Sequence, residues 1–136
     1  MFANKLVAVI NKDLDMGVAL NAVAHMSLGL ARNLDKEALQ LDDYVDANAN
    51  IYPNISRIPY IILRAKSGEI RKTIIAARER NICHTAFLNT MTGGTYIEQL
   101  ERTKLMSDEE MIYYGCALFG AWEVVSEITR KFSLFR

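Results

Sequence analysis

Short apolar runs rich in β-branched residues alternate along this chain with longer stretches in which apolar residues recur at helical spacing. Lys5 to Asn11 (KLVAVIN) is the first such run and predicts a strand. The polar turn Asn11-Lys12-Asp13-Leu14-Asp15 follows, with carboxylates placed to start a helix. That helix is expected from Gly17 to about Asn33, with small residues at Ala19, Ala22, Ala24, Gly29 and Ala31. It is apolar on nearly every side. The pattern therefore predicts cover on more than one face, from the sheet and from a second helix or another subunit.

Asp35 to Arg57 breaks the alternation. Asp46, Asn48, Asn50, Pro53 and Asn54 supply turn chemistry there, and a short hairpin fits. Pro59 opens a second strand, Tyr60 to Ala65 (YIILRA). Ser67-Gly68 leads into an amphipathic helix to about Arg80, striped by Ile70, Ile74 and Ala77. Ile82 to Leu88 (ICHTAFL) is a third strand. After the Thr92-Gly93-Gly94-Thr95 loop, Thr95 and Glu98 form a capping box for a short helix to about Thr103, a device that Ser107 and Glu110 offer again. Ile112 to Gly120 (IYYGCALFG) is a fourth strand, and Ala121 to Lys131 a last helix.

Strands one and four are apolar on both faces and belong inside the sheet. Arg64 interrupts strand two, and His84 and Thr85 interrupt strand three, which suits edges. The order 2-1-4-3 follows, with strand four antiparallel to strand three and right-handed crossovers sending the first two helices to opposite faces. The expected fold is α/β: one domain over residues 1–136, a three-layer α/β/α sandwich around a four-stranded mixed sheet.

Composition narrows the function. With 136 residues the chain buries enough surface to hold a core without disulfide or metal. Sixteen basic and sixteen acidic residues cancel, which argues against a nucleic-acid partner, since neutralising phosphates calls for a basic excess. The longest uncharged run, Met16 to Ala31, is too short and polar for a bilayer, so no membrane partner is expected. Cys83 and Cys116 lie in apolar stretches without CxxC spacing and read as buried thiols in a reducing cytoplasm. The N-terminus lacks the apolar segment of a signal peptide, and the expected location is cytoplasmic. Two histidines on separate elements are too few for a metal, and no cofactor is implied.

In such sheets ligands sit beyond the carboxyl ends of parallel strands, where connections diverge. That rule selects two loops, Asn11 to Gly17 and Asn89 to Thr95. The candidate ligand-binding residues are Lys12, Asp13, Asn21, Thr92, Gly93, Gly94 and Thr95. Asp13 and Asp15 are equally helix-start residues. The Thr-Gly-Gly-Thr loop could cradle an anion on its amides but lacks the lysine of a P-loop. Asn21 needs a hydrogen-bond partner if buried, from a loop backbone or a ligand. His25 reads as a packed or surface histidine as readily as a base. His84 and Cys116 could approach each other across paired strands, as a nucleophilic pair would require.

Lys5 to Gly29, KLVAVINKDLDMGVALNAVAHMSLG, resembles the opening of the type II peptidyl-tRNA hydrolases, with Lys5, Asp13-Leu14, Met16-Gly17 and Ala22 matching their pattern. The resemblance continues through the strand at Tyr60, the helix from Gly68, the strand at Ile82, and Gly115-Cys116-Ala117-Leu118-Phe119-Gly120. It leaves out Asp35 to Arg57 and Tyr96 to Met111. The chain looks still more like a family of uncharacterised proteins sharing that fold, marked here by Asn4-Lys5, Ile58-Pro59-Tyr60-Ile61-Ile62-Leu63 and Phe132 to Arg136. The resemblance implies the hydrolase fold, whose sheet has the order 2-1-4-3. It does not carry the chemistry with it. The hydrolases follow Met-Gly with Lys-Gly-Lys, whose first lysine is an active-site residue; here stand Val18-Ala19-Leu20. Their helix histidine aligns with Ser27, and their Asp-Ala-Gly-x-Thr motif meets Asn89 to Thr95, where only Gly93 and Thr95 fit and no acid is present.

The expected function is a hydrolase-fold protein without the hydrolase's catalytic site, binding a small or anionic ligand. The alternatives are a peptidyl-tRNA or related ester hydrolase with a rearranged site, and a homo-oligomeric module, a dimer, that docks through the first helix or the 35–57 insert.

Overall fold

The computed structural model describes residues 2–136. Its organising element is β1 (Asn4–Asn11), six of whose eight residues are buried. Because side chains alternate across a strand, Val7 and Val9 enter one core while Leu6, Ala8 and Ile10 enter another on the opposite face. A strand buried on both faces has no room for polar side chains, which is why KLVAVIN is a nearly unbroken apolar run.

The chain leaves β1 into α1 (Met16–Arg32), passes a short helix α2 (Lys36–Leu39), and forms a separate hairpin from β2 (Leu41–Val45) and β3 (Ile51–Ser56). It returns through β4 (Tyr60–Ala65), α3 (Ser67–Glu79) and β5 (Cys83–Leu88). A 3₁₀ turn (Asn89–Met91), α4 (Tyr96–Lys104), β6 (Tyr113–Ala121), α5 (Trp122–Thr129) and a two-residue strand β7 (Ser133–Leu134) complete it. The main sheet runs β5-β6-β1-β4-β7. β1 pairs parallel with β4 and antiparallel with β6, and β5 pairs antiparallel with β6. The four-stranded sheet expected from the sequence is thus corrected to five strands, with a second sheet of two. Two residues are too few to carry a periodic signal, so β7 left no trace in the hydrophobic pattern.

The two crossover helices take opposite faces. Ala19, Ala22, Met26 and Leu30 of α1 pack with Ile10 and Phe119, while Ile70, Ile74 and Ala77 of α3 pack with Val9, Leu118 and Val125. Each fully buried aliphatic side chain contributes about 1.5–3 kcal/mol. Only one stripe of α1 is covered. Leu20 and Leu28 on its far side are 62% and 74% exposed, so nothing in the described chain supplies the second cover that its apolar pattern predicted. Ser107 caps no helix; its hydroxyl donates to Glu110 Oε1 (2.9 Å) within a turn.

The 35–57 insert contains the expected hairpin. Asp46 builds its tip: Oδ1 accepts from Asn48 N and Asn50 N (2.9 Å each), and Oδ2 from Asn50 Nδ2 (3.0 Å) and Tyr52 Oη (2.9 Å). These donors, Asn50 foremost, hold the Asp46 carboxyl down at about 2. Ala49 takes the left-handed conformation the turn requires (φ 65°).

α1 approaches the sheet closely where β6 carries Gly115. A side chain there would begin 2.9 Å from Ile10 Cδ1 and Met26 Cε and 3.0 Å from Val9 O. Gly115→Val should therefore overpack the core and cost about 1–3 kcal/mol, read as a lower urea midpoint with unchanged slope. A variant as stable as the parent would contradict the close approach.

Candidate functional site

Where β1 ends, the chain must turn and the strand amides must find partners. Asn11 is buried and uses its whole carboxamide: Nδ2 donates to Tyr113 O (3.0 Å) and Oδ1 accepts from Asp13 N (2.9 Å). It joins the end of β1 to the start of β6. Asn89 does the same beyond β5, its Oδ1 accepting from Ile112 N (3.2 Å) and its N donating to Ile112 O (3.0 Å). The two loops selected from the sequence thus share an edge of the sheet, separated by the first residues of β6.

They do not share a cleft. The Thr92-Gly93-Gly94-Thr95 loop is built around a cation. Arg102 Nε donates to Thr90 O (2.9 Å), and its Nη2 donates to Thr92 O (2.5 Å) and to Gly93 O. Both glycines are left-handed, with φ 74° at Gly93 and 71° at Gly94. A β-carbon on Gly94 would meet the Glu98 carboxylate at 2.6 Å, so a carboxylate of the chain itself already lies against this loop. Thr95 Oγ1 accepts from Glu98 N (3.2 Å) as the cap of α4. Asp13 is exposed at the β1–α1 turn and Asn21 exposed on α1. Among the described residues, none of Asp13, Asn21 and Thr92 to Thr95 lines any of the five principal clefts.

The nucleophilic pair dissolves on inspection. In the β5–β6 register His84 stands opposite Leu118, and Ala86 opposite Cys116. Cys116 is wholly buried, and burial pushes its thiol up to about 12, which leaves no useful thiolate at neutral pH. Ser27, at the position of the hydrolase histidine, donates to Val23 O (2.6 Å) and lies 2.9 Å from Tyr60 Oη. No group of three His, Cys, Asp or Glu among the described residues could hold a metal ion.

Lys12 does line a cleft, of about 250 Å³, and its company is what sequence reasoning missed. The neighbouring parallel strands are β1 and β4, whose connections leave to α1 on one face and α3 on the other. Beyond their ends Lys12 N donates to Ala65 O (3.0 Å), drawing the two exits together. The cleft brings Lys12, Arg64, Lys66 and Lys131 together with a single carboxylate, Glu69. Glu69 accepts from Lys66 N (3.1 Å) and lies 3.9 Å from Lys131 Nζ. Phe132 and the first residue of β7, Ser133, form the remaining wall. The crevice rule applied to β1 and β4 finds Lys12 and Lys66. Lys131 had no signal, because its place depends on the unpredicted β7.

A protein-family model, "Protein of unknown function (DUF2000)", matches residues 4–136. No curated protein matches. Among solved structures, a protein of unknown function from Agrobacterium tumefaciens C58 aligns over 100% of both chains with a TM-score of 0.86 and 22% identity, a likeness of fold alone.

The Asn11 joint gives a direct test. Asn11→Leu keeps the side chain's approximate size but leaves Tyr113 O and Asp13 N without partners. It should cost about 1–3 kcal/mol in chemical denaturation. A cost below a few tenths would show that water replaces both bonds.

Proposed function

We propose that this chain, which belongs to the DUF2000 family of proteins of unknown function, binds a small anionic ligand in the cleft at the ends of β1 and β4 and lacks a hydrolase's catalytic site. The observation that carries the reading is the convergence of Lys12, Arg64, Lys66 and Lys131, from three separate segments, on one cleft of a chain with net charge zero. Four cationic side chains line that cleft with one carboxylate, Glu69, an excess of positive charge that a bound anion would offset. Lys12, one of the ligand-binding residues proposed from the sequence, takes part directly.

The proposal takes the fold to be of the type II peptidyl-tRNA hydrolase kind, supported by β1 lying between parallel β4 and antiparallel β6 with helices on both faces. Against that family's catalysis stand the uncharged Val18 where its lysine would be and the acid-free stretch Asn89 to Thr95. The free thiols of Cys83 and Cys116 suit the proposed cytoplasmic setting. A second reading, self-association, is favoured by exposed Leu20 and Leu28 on α1. It predicts a light-scattering mass of twice 15.4 kDa that reverts to 15.4 kDa in Leu28→Glu. A parent protein already at the single mass sinks it.

Inorganic pyrophosphate tests the main reading by calorimetry and melting. At a hundred times Kd it should stabilise the fold by about 2.7 kcal/mol and raise Tm by several degrees. Lys12 and Arg64 are both exposed, so Lys12→Glu with Arg64→Glu should leave the unliganded Tm nearly unchanged and weaken binding at least tenfold. Equal binding by parent and double variant would overturn the assignment.

A further inference from the structure

α4 is amphipathic, yet it buries none of its residues. Its footing on the rest of the chain is polar: Arg102 grips the carbonyls of Thr90, Thr92 and Gly93, and Thr103 Oγ1 lies 2.7 Å from Thr90 Oγ1. These bonds hold the helix at one end over the 3₁₀ turn and leave its apolar side unpacked, with Tyr96 69% and Leu100 40% exposed. Between α4, α1 and the edge strand β5 lies a slot of about 660 Å³, the largest of the molecule's principal clefts. Its apolar walls are Met26 of α1, Phe87 of β5, Met91, and Tyr96 and Leu100 of α4.

We propose that this slot is a binding site for a small, flat aromatic molecule that is neutral or carries a single negative charge. The volume lies inside the range of small-molecule sites, about 300–1,000 Å³, and three elements line it, leaving it open to solvent on one side. The polar groups of the lining are largely spent within the chain. Thr85 Oγ1 donates to Met26 O (3.0 Å), Thr103 Oγ1 to Gln99 O (2.7 Å), and Gln99 Nε2 to Gly93 O (3.3 Å). A sugar or nucleotide would find few partners for its own donors and acceptors, whereas an apolar body loses nothing by entering. Aromatic and thioether side chains border the space: Phe87, which stacks on His25 at 5.4 Å, the exposed Tyr96, and the methionines Met26 and Met91. The lining carries the lysine of Lys104 and no carboxylate, which disfavours a cationic ligand. This inference is independent of the anion cleft, which shares no residue with the slot.

The probe is 8-anilinonaphthalene-1-sulfonate, an aromatic monoanion whose fluorescence rises on entering an apolar site. The natively folded protein should enhance it saturably with one site per chain. Leu100→Glu places a charge in one wall without touching a buried position, so Tm should hold while Kd rises at least tenfold. Lys12→Glu with Arg64→Glu should leave the enhancement as it is, which separates failure here from failure of the anion reading. No enhancement by the native protein, equal affinity in Leu100→Glu, or loss of binding in the Lys12/Arg64 variant would each overturn the proposal. So would a light-scattering mass of twice 15.4 kDa that Leu100→Glu returns to 15.4 kDa, which would assign the slot to a second copy.

Discussion

The burial of β1 on both faces is the constraint from which the rest of the molecule follows. A strand with Val7, Ala8 and Val9 fully enclosed has to be flanked by other strands to satisfy its backbone and roofed by helices to cover its side chains. β4 and β6 meet the first need, α1 and α3 the second. Small residues set the spacing: Ala8, Ala117 and Gly115 on the sheet, Ala19 and Ala22 on the helix, let α1 come down close. Packing at that separation leaves no slack, and the polar work moves to the ends of the strands, where Asn11 and Asn89 take over from the ladder.

Both sites lie where this close packing stops. The cationic cleft opens because β1 and β4 run parallel and send their continuations to opposite faces, which parts the chain at the sheet's edge. The apolar slot opens for a different reason. α4 is anchored by arginine and threonine to a turn, so its position answers to hydrogen bonds, and its hydrophobic stripe goes without a partner. One cleft is lined by charge and the other by apolar side chains, and they share no residue.

Much of the fold was legible because period-two and period-3.6 patterns report burial directly. KLVAVIN, YIILRA and the Ile70/Ile74/Ala77 stripe became β1, β4 and α3 within a residue or two. The failures concern features that burial does not encode. β7 has two residues, and its docking depends on Phe135 N donating to Ile62 O (2.9 Å), a long-range bond with no local signature. α1 reads as apolar on nearly every side, yet only its Ala19/Ala22/Met26/Leu30 stripe is inside; Leu20 and Leu28 stand exposed on the other side, so apolar composition alone does not report cover. The glycine loop offers amides that could face an anion, but the sequence gives no sign that its carbonyls serve Arg102, ten residues beyond Thr92, a partnership visible only in three dimensions. Lys131 joined the cleft for the same reason as β7: distance along the chain hides proximity in space.

Order of synthesis meets this topology awkwardly. β1 precedes both of its lateral partners: β4 begins only at Tyr60, and β6 only at Tyr113. Until Tyr113 to Ala121 has emerged, a long edge of Val, Ala and Ile lies open to solvent, and no arrangement of the earlier elements closes it. The sheet is completed only when β6 takes its place between β1 and β5, so its closing contacts are among the most distant along the chain.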